Sequence, residues 1–129
     1  MPVVPDSHRP LLEEPLIGHL ATIRPDNTAQ VTPMWFEYDG THVRFTHTSA
    51  RQKFRNLQHN PSMALSVTDP ADPERYIEVA GTLTDVVPDP DGAYFVQLSH
   101  RYGNADATPP ADKANRVVLV MTIDRTSTK

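Results

Sequence analysis

Apolar and polar positions along this chain alternate in short runs more often than they recur every three or four residues, which predicts a mainly β protein with brief helices. Leu11 and Leu12 within residues 8–15 predict a short helix stopped by Pro15. Residues 17–23 read as a strand closed by the turn Pro25, Asp26, Asn27. Residues 29–38 read as a second strand with Thr32, Met34, Phe36 and Tyr38 on one face and Val31, Pro33, Trp35 and Glu37 on the other. Pro33 marks an edge or a bulge there, because it has no N–H to give to a ladder. Asp39-Gly40 predicts a type I′ hairpin. The returning strand, 41–47, would turn Val43 and Phe45 inward and His42, Arg44 and Thr46 outward.

Ser49 with Gln52 three residues on has the spacing of a capping box, so a helix is expected to open at Ser49, bury Phe54 and Leu57, and stop at Asn60-Pro61. Residues 62–68 form a further strand, 69–73 a loop, and 76–87 a long strand that Gly81 bends or bulges. The Pro88 to Asp91 segment reads as the entry to a helix over 93–102 that carries Phe95, Val96 and Leu98. A polar loop over 103–114 leads to a last strand over 115–123, apolar enough to be covered on both faces. The resulting order is helix, three strands, helix, two strands, helix, strand. It predicts a six-stranded, mainly antiparallel barrel or sheet with short helices, built as one domain over residues 1–129 with a flexible N-terminus at 1–7.

Composition narrows the function. Leu, Ile, Val and Phe make up about 22% of the 129 residues, close to the roughly 20% below which a chain struggles to hold a core, so stability is expected to lean on a partner subunit. The 13 prolines punctuate every would-be long helix. With no cysteine, disulfides, thiol catalysis and cysteine-based zinc sites are excluded. No apolar stretch approaches a membrane span and no leader pattern opens the chain, which predicts a soluble, cytoplasmic protein without a membrane partner. The six histidines show no metal-ligand spacing, and no metal is expected. Asp6, Ser7 and His8 adjoin in a segment too mobile to serve as a triad.

The net charge of −4 argues against a nucleic-acid partner, but its distribution is uneven. No acid occurs from residue 40 to 68, where Arg44, Arg51, Lys53 and Arg55 lie; residues 69–92 then carry seven acids against Arg75. With the helix opening at Ser49, Arg51 and Lys53 fall in its first turn, where the macrodipole is already positive, and Arg51 and Arg55 repel at i, i+4. An anion at that spot would relieve both conflicts. Thr46, Thr48 and Ser49 add hydroxyls, completing a possible phosphate cradle, although a solvated basic helix face has the same composition. Trp35, flanked by Pro33, Met34 and Phe36, offers a flat apolar wall for an aromatic ring or for ordinary packing. No nucleophile with a paired base is present, so chemistry would have to come from a cofactor.

The words Gly18-His-Leu-Ala-Thr-Ile23, Gln30-Val-Thr-Pro-Met-Trp-Phe36, Arg51-Gln-Lys-Phe-Arg-Asn-Leu57 and Val79-Ala-Gly-Thr-Leu83 resemble the pyridoxamine 5′-phosphate oxidase-like split β-barrel flavoproteins. Within that superfamily the likeness is to the branch of oxidoreductases that use coenzyme F420, a deazaflavin. The resemblance spans residues 8–123 and implies a homodimer of split barrels with two cofactor sites at the subunit interface. It implies that Arg51 and Lys53, with Arg55, hold the cofactor's phosphate. Val31, Thr32, Pro33, Met34 and Trp35 would lie along its ring, and Thr46, Thr48 and Ser49 near its ribityl phosphate, while Tyr76, Val79 and Arg116 would reach the site from the other subunit. Only six residues follow position 123, too few for the C-terminal segment that contacts pyridoxal substrates, so vitamin B6 oxidation is not expected. The activity implied is reduction of an electrophilic, conjugated small molecule by hydride from F420. FMN as cofactor, or a barrel that binds such a ligand without turnover, are the alternatives.

Overall fold

The alternation over residues 29–38 breaks after Met34, and the break sets the topology. The computed structural model describes residues 4–129. Its elements are α1 (Pro10–Glu13), β1 (Gly18–Ile23), β2 (Ala29–Met34), β3 (Glu37–Tyr38), β4 (His42–Thr48), α2 (Gln52–His59), β5 (Ser62–Asp69), β6 (Asp72–Pro88), α3 (Ala93–Arg101) and β7 (Arg116–Thr128). All strand pairs are antiparallel, in the order β2-β1-β5-β6-β7-β4-β3. The sheet therefore has seven strands, not six, because Trp35 and Phe36 separate β2 from β3 and send them to opposite edges. A two-residue link spans no more than about 10 Å, so the sheet must curl until its edges approach. No ladder joins β2 to β3, and the curl stays open. Pro33 sits on β2, an edge strand, where its missing N–H leaves no gap in a ladder.

Inside the curl lie Leu20, Phe36, Val43, Phe45, Leu65, Ile77, Leu119 and Met121, all fully buried. Phe36 is the plug between the two edges, and its backbone has no strand partner. Two consecutive residues at the end of α3 supply the partners. The Phe36 N–H donates to Tyr102 Oη at 3.0 Å, and that hydroxyl donates to the Leu16 carbonyl at 2.7 Å. Arg101 Nε donates to the Phe36 carbonyl at 3.0 Å, while its two Nη atoms reach the carbonyls of Leu12, Glu13 and Glu14 at 3.0–3.3 Å. The Leu12 and Glu13 carbonyls are ones that a four-residue helix leaves without internal partners, and the Glu14 carbonyl also accepts from the Leu16 N–H at 2.8 Å. One guanidinium thus ties α1 and the edge link to α3.

Other expectations shift by small, explicable amounts. The turn after Tyr38 is not type I′: Gly40 has φ +94°, but Asp39 does not have positive φ. Its carboxylate instead accepts from the N–H of Thr41 at 2.8 Å and of His42 at 2.6 Å, and pairs with Arg44. The loop expected over 69–73 shrinks, because β6 already pairs with β5 from Asp72. The last strand extends to Thr128 rather than stopping at Ile123, since β6 is long enough to partner it. The register of β6 against β7 shifts at Gly81, as expected for that residue, with Asp124 as the extra residue on the facing strand. A Cβ on Gly81 would lie 2.0 Å from the Thr122 carbonyl oxygen, so only glycine fits there. The helix entry at 88–91 works through Asp89, whose carboxylate accepts from the N–H groups of Tyr94 and Phe95 at 3.1 and 3.3 Å. Of the N-terminal segment expected to be flexible, residues 1–3 lie outside the described residues and Val4 packs into the core. Asp6 engages Arg9 at 2.9 Å rather than His8, so no Asp-His-Ser relay forms. Among the described residues no helix is long and apolar enough to cross a membrane.

Arg101→Ala is expected to lower unfolding stability by about 1–3 kcal/mol, because it removes four hydrogen bonds at once, leaves the part-buried Leu12 carbonyl without this donor, and leaves the Phe36 carbonyl with the Tyr102 hydroxyl alone. Urea denaturation measures this, and a loss under about 0.5 kcal/mol would show that the clasp is incidental.

Candidate functional site

The cavity of interest opens between β2, the end of β4 and the start of α2. It has a volume of about 550 Å³ and is lined by Gln30, Thr32, Pro33, Met34, Trp35, Thr46, His47, Arg51, Gln52, Lys53 and Arg116. None of these side chains is acidic.

The start of α2 differs from expectation in a way that shapes this cavity. The capping box does not form: Ser49 Oγ and Ser49 N–H both point to the Asn115 carbonyl, at 3.4 and 3.0 Å. Gln52 Nε2 donates to Asn56 Oδ1 at 2.8 Å instead of reaching back. The helix therefore begins two residues late, with Arg51 in extended conformation as its N-cap and no side chain capping the first turn. The uncapped end opens onto the cavity, which is lined by Arg51, Gln52 and Lys53. The buried face of α2 is Lys53, Asn56 and Leu57, with Phe54 only half-buried. Asn56 is the reason: its Nδ2 donates to Thr22 Oγ1 at 3.1 Å and Gln30 Oε1 at 2.9 Å, which locks α2 onto β1 and β2.

That lock turns Lys53 inward. The side chain is only 6% exposed, and its one close polar contact is the Met34 sulfur, at 3.3 Å from Nζ. Burial, and then the charge of Arg51, push the ammonium pKa below its ordinary value. Arg116 lines the opposite wall, held by Asp112 at 3.0 Å and stacked over Phe95 with Cζ 4.8 Å from the ring centre. His47 is 6% exposed. Burial, followed by the charges of Lys53, Arg51 and Arg116, lowers its pKa to about 4, with Asp112 opposing. Three buried polar atoms of the lining have no partner: Thr32 Oγ1, Thr46 Oγ1 and His47 Nε2. Concentrated cations, open helix N–H groups and orphaned hydroxyls are the donor set of an anion site; Asp112 pairs with Arg116, and among the described residues no carboxylate pairs with Arg51 or Lys53.

The expected site residues divide accordingly. Thr32, Pro33, Met34, Trp35, Thr46, Arg51 and Lys53 converge on the cavity, and Arg116, expected to reach the site from the other subunit, lines it from the same chain. Trp35 has one face already covered by Tyr102, stacked at 4.9 Å and 12°, so a ligand ring can use only its remaining surface. Val31 turns the other way and is 64% exposed. Thr48 is buried, with Oγ1 accepting from the Ala50 N–H at 3.4 Å, and Ser49 is held by Asn115. Arg55 points along the helix to the Ala50 carbonyl and Gln52 Oε1 at 3.2 and 2.9 Å. Val79 is fully enclosed in the core, so its side chain has no surface to offer a ligand, and Tyr76 does not line the cavity. Gln30, His47 and Gln52 were not foreseen in the site. Strand parity already placed His47 on the inward face with Val43 and Phe45, and that was the available signal.

Comparison with known proteins identifies the family. A solved F420 reductase is 53% identical to the chain, over 96% of this chain and 98% of its own, with a TM-score of 0.93. A conserved hypothetical protein of Mycobacterium tuberculosis superposes with a TM-score of 0.75 at 23% identity, covering 98% of this chain and 84% of that one. General Stress Protein 26 of Bacillus anthracis gives 0.71 at 20% identity, with 93% and 88% covered. At such identities these two share the fold alone. No curated protein matches the chain. The pyridoxamine 5′-phosphate oxidase family pattern matches residues 4–129 and, with a relative more than half identical over nearly the full length, the chain belongs to the pyridoxamine 5′-phosphate oxidase family.

Proposed function

We propose that this protein is an oxidoreductase that holds coenzyme F420 in the cavity and transfers a hydride between it and an electrophilic, conjugated small molecule. The observation that carries the reading is Lys53, a buried ammonium beside two arginines in a cavity with no acidic lining residue. Such charge is costly to bury unless an anion completes it, and F420 carries a phosphate. The F420 reductase at 53% identity supports the choice of cofactor. In this reading Arg51, Lys53 and Arg116 bind the phosphate, and Thr32 and Thr46 give their unpaired hydroxyls to the ligand's polar chain. Pro33, Met34 and the free surface of Trp35 form the apolar wall that orients the ring and excludes water. The bound deazaflavin supplies the hydride chemistry. The curled sheet is read as a split barrel, and FMN, which presents a similar phosphate, is the alternative cofactor.

The reading includes a homodimer. Val31, Ala21, Ala64 and Ala80 stand in register across β2, β1, β5 and β6. They form a row of small and apolar side chains on the outside of the sheet, three of them (Ala21, Ala64 and Ala80) lining a concavity of about 550 Å³, where a second copy could pack with little loss of side-chain entropy.

Trp35 is the only tryptophan and lines the cavity, so its fluorescence reports occupancy. Titration with F420 is expected to quench it and raise the melting temperature, and the Arg51→Ala, Lys53→Ala double variant should bind at least tenfold more weakly, about 1.4 kcal/mol. Absence of both signals at high micromolar F420 would sink the reading. A tighter response to FMN would move it to a flavin enzyme, and binding without turnover over a panel of quinones and enones to a cofactor carrier. By light scattering the chain should run at twice its 14.4 kDa, and Ala64→Arg should return it to a monomer. A monomeric wild type would remove the dimer from the reading.

A further inference from the structure

His47 is the one titratable group in the cavity that the reading above leaves without a role. It projects from β4 toward the core side, is almost wholly buried, and has Nε2 enclosed with no hydrogen-bond partner. The charged groups that act on it are Arg51 and Lys53 from α2, Arg116 from β7, and Asp112 from the loop before β7. The Asp112 carboxylate is already committed to Arg116 at 3.0 Å. The lining of β2 contributes no charge. The histidine therefore shares its surroundings with three cations against one carboxylate, and any further compensating charge must come from a ligand.

We propose that His47 is a proton-linked member of the anion site: neutral while Arg51 and Lys53 stand uncompensated beside the Arg116–Asp112 pair, and protonated once a phosphate-type or sulfate anion neutralises them. The inference rests on reading the cavity as an anion site and goes beyond it by assigning a fourth, conditional cation.

The physical argument has two parts. An anion placed among these cations offsets the positive field at the imidazole, and an opposite charge within about 4–6 Å typically favours a charged form by one to three pKa units. Entry of the ligand adds little to the cost of burying the imidazolium, because Nε2 is already excluded from water. Desolvation is thus nearly the same before and after binding, while the electrostatic contribution changes. Free His47 titrates at about 4, and the anion raises this value. Since the bound state then holds more protons than the free state, affinity for an anion of constant charge falls as pH rises from about 4 through the bound-state pKa, and levels off above it.

The test is an NMR titration of the His47 imidazole Cε1–H, assigned by its loss in His47→Gln, with and without sulfate at constant ionic strength. Sulfate keeps a fixed charge across the range, and its binding is followed independently by Trp35 fluorescence. The expected result is a midpoint near 4 without sulfate, raised by about one unit or more when sulfate is bound. Calorimetry in buffers of different ionisation enthalpy should also show proton uptake on sulfate binding at acidic pH, lost in His47→Gln. If sulfate binds and is weakened by the Arg51→Ala, Lys53→Ala change while the His47 midpoint stays fixed, the inference is overturned and the anion site stands. If sulfate does not bind, both fall.

Discussion

The structure depends on how two residues, Trp35 and Phe36, bridge the edges of a curled sheet. A sheet whose two edge strands are consecutive in sequence has to bring its edges within reach of a very short link. That link then has backbone groups without a ladder. Tyr102 and Arg101 take up those groups at about 3.0 Å, and the same two side chains hold the carbonyls of α1 and of Leu16. Phe36 fills the core from the link, while Trp35, its neighbour, faces the cavity and stacks on Tyr102. Fold and site are therefore fastened at one point: whatever loosens the clasp at the end of α3 also releases the apolar wall of the site.

Across the cavity a second fastening sets the charge. Asn56, buried and fully hydrogen-bonded to Thr22, Gln30 and Gln52, fixes the rotation of α2 about its own axis. At three residues' remove that rotation turns Lys53 inward instead of letting it reach solvent, as lysines ordinarily do. A buried polar network that is completely satisfied costs little and specifies one arrangement. Here it pays for a cation held where only an external anion can complete it. The low-dielectric surroundings that penalise Lys53 and His47 in the free protein are those that would strengthen their attraction to a bound phosphate.

Much of the fold was legible because it rests on local chemistry. Alternation located the strands, Asn60-Pro61 ended α2 at its observed place, Asp89 entered the third helix, and Gly81 marked a register shift. The basic segment after β4 was legible as a site because Arg51 and Lys53 violate the usual preference at a helix start. Differences arose where a local motif met a competing partner, distant or within the same helix. Ser49 and Gln52 had the spacing of a capping box, yet Ser49 is taken by Asn115 and Gln52 by Asn56. Arg55 had the charge of a phosphate ligand but is engaged by its own helix.

By itself the sequence determined most of the elements, the family likeness and the place where positive charge gathers, because each follows from residue spacing within a few turns or strands. Only the tertiary structure decided which of those charges share a cavity, that Val31 and Val79 do not line it, and that His47 does. The reason is that burial and orphaned polar atoms are properties of surfaces brought together from β2, β4, α2 and β7. No pattern along one segment records what the other segments will leave unpaired.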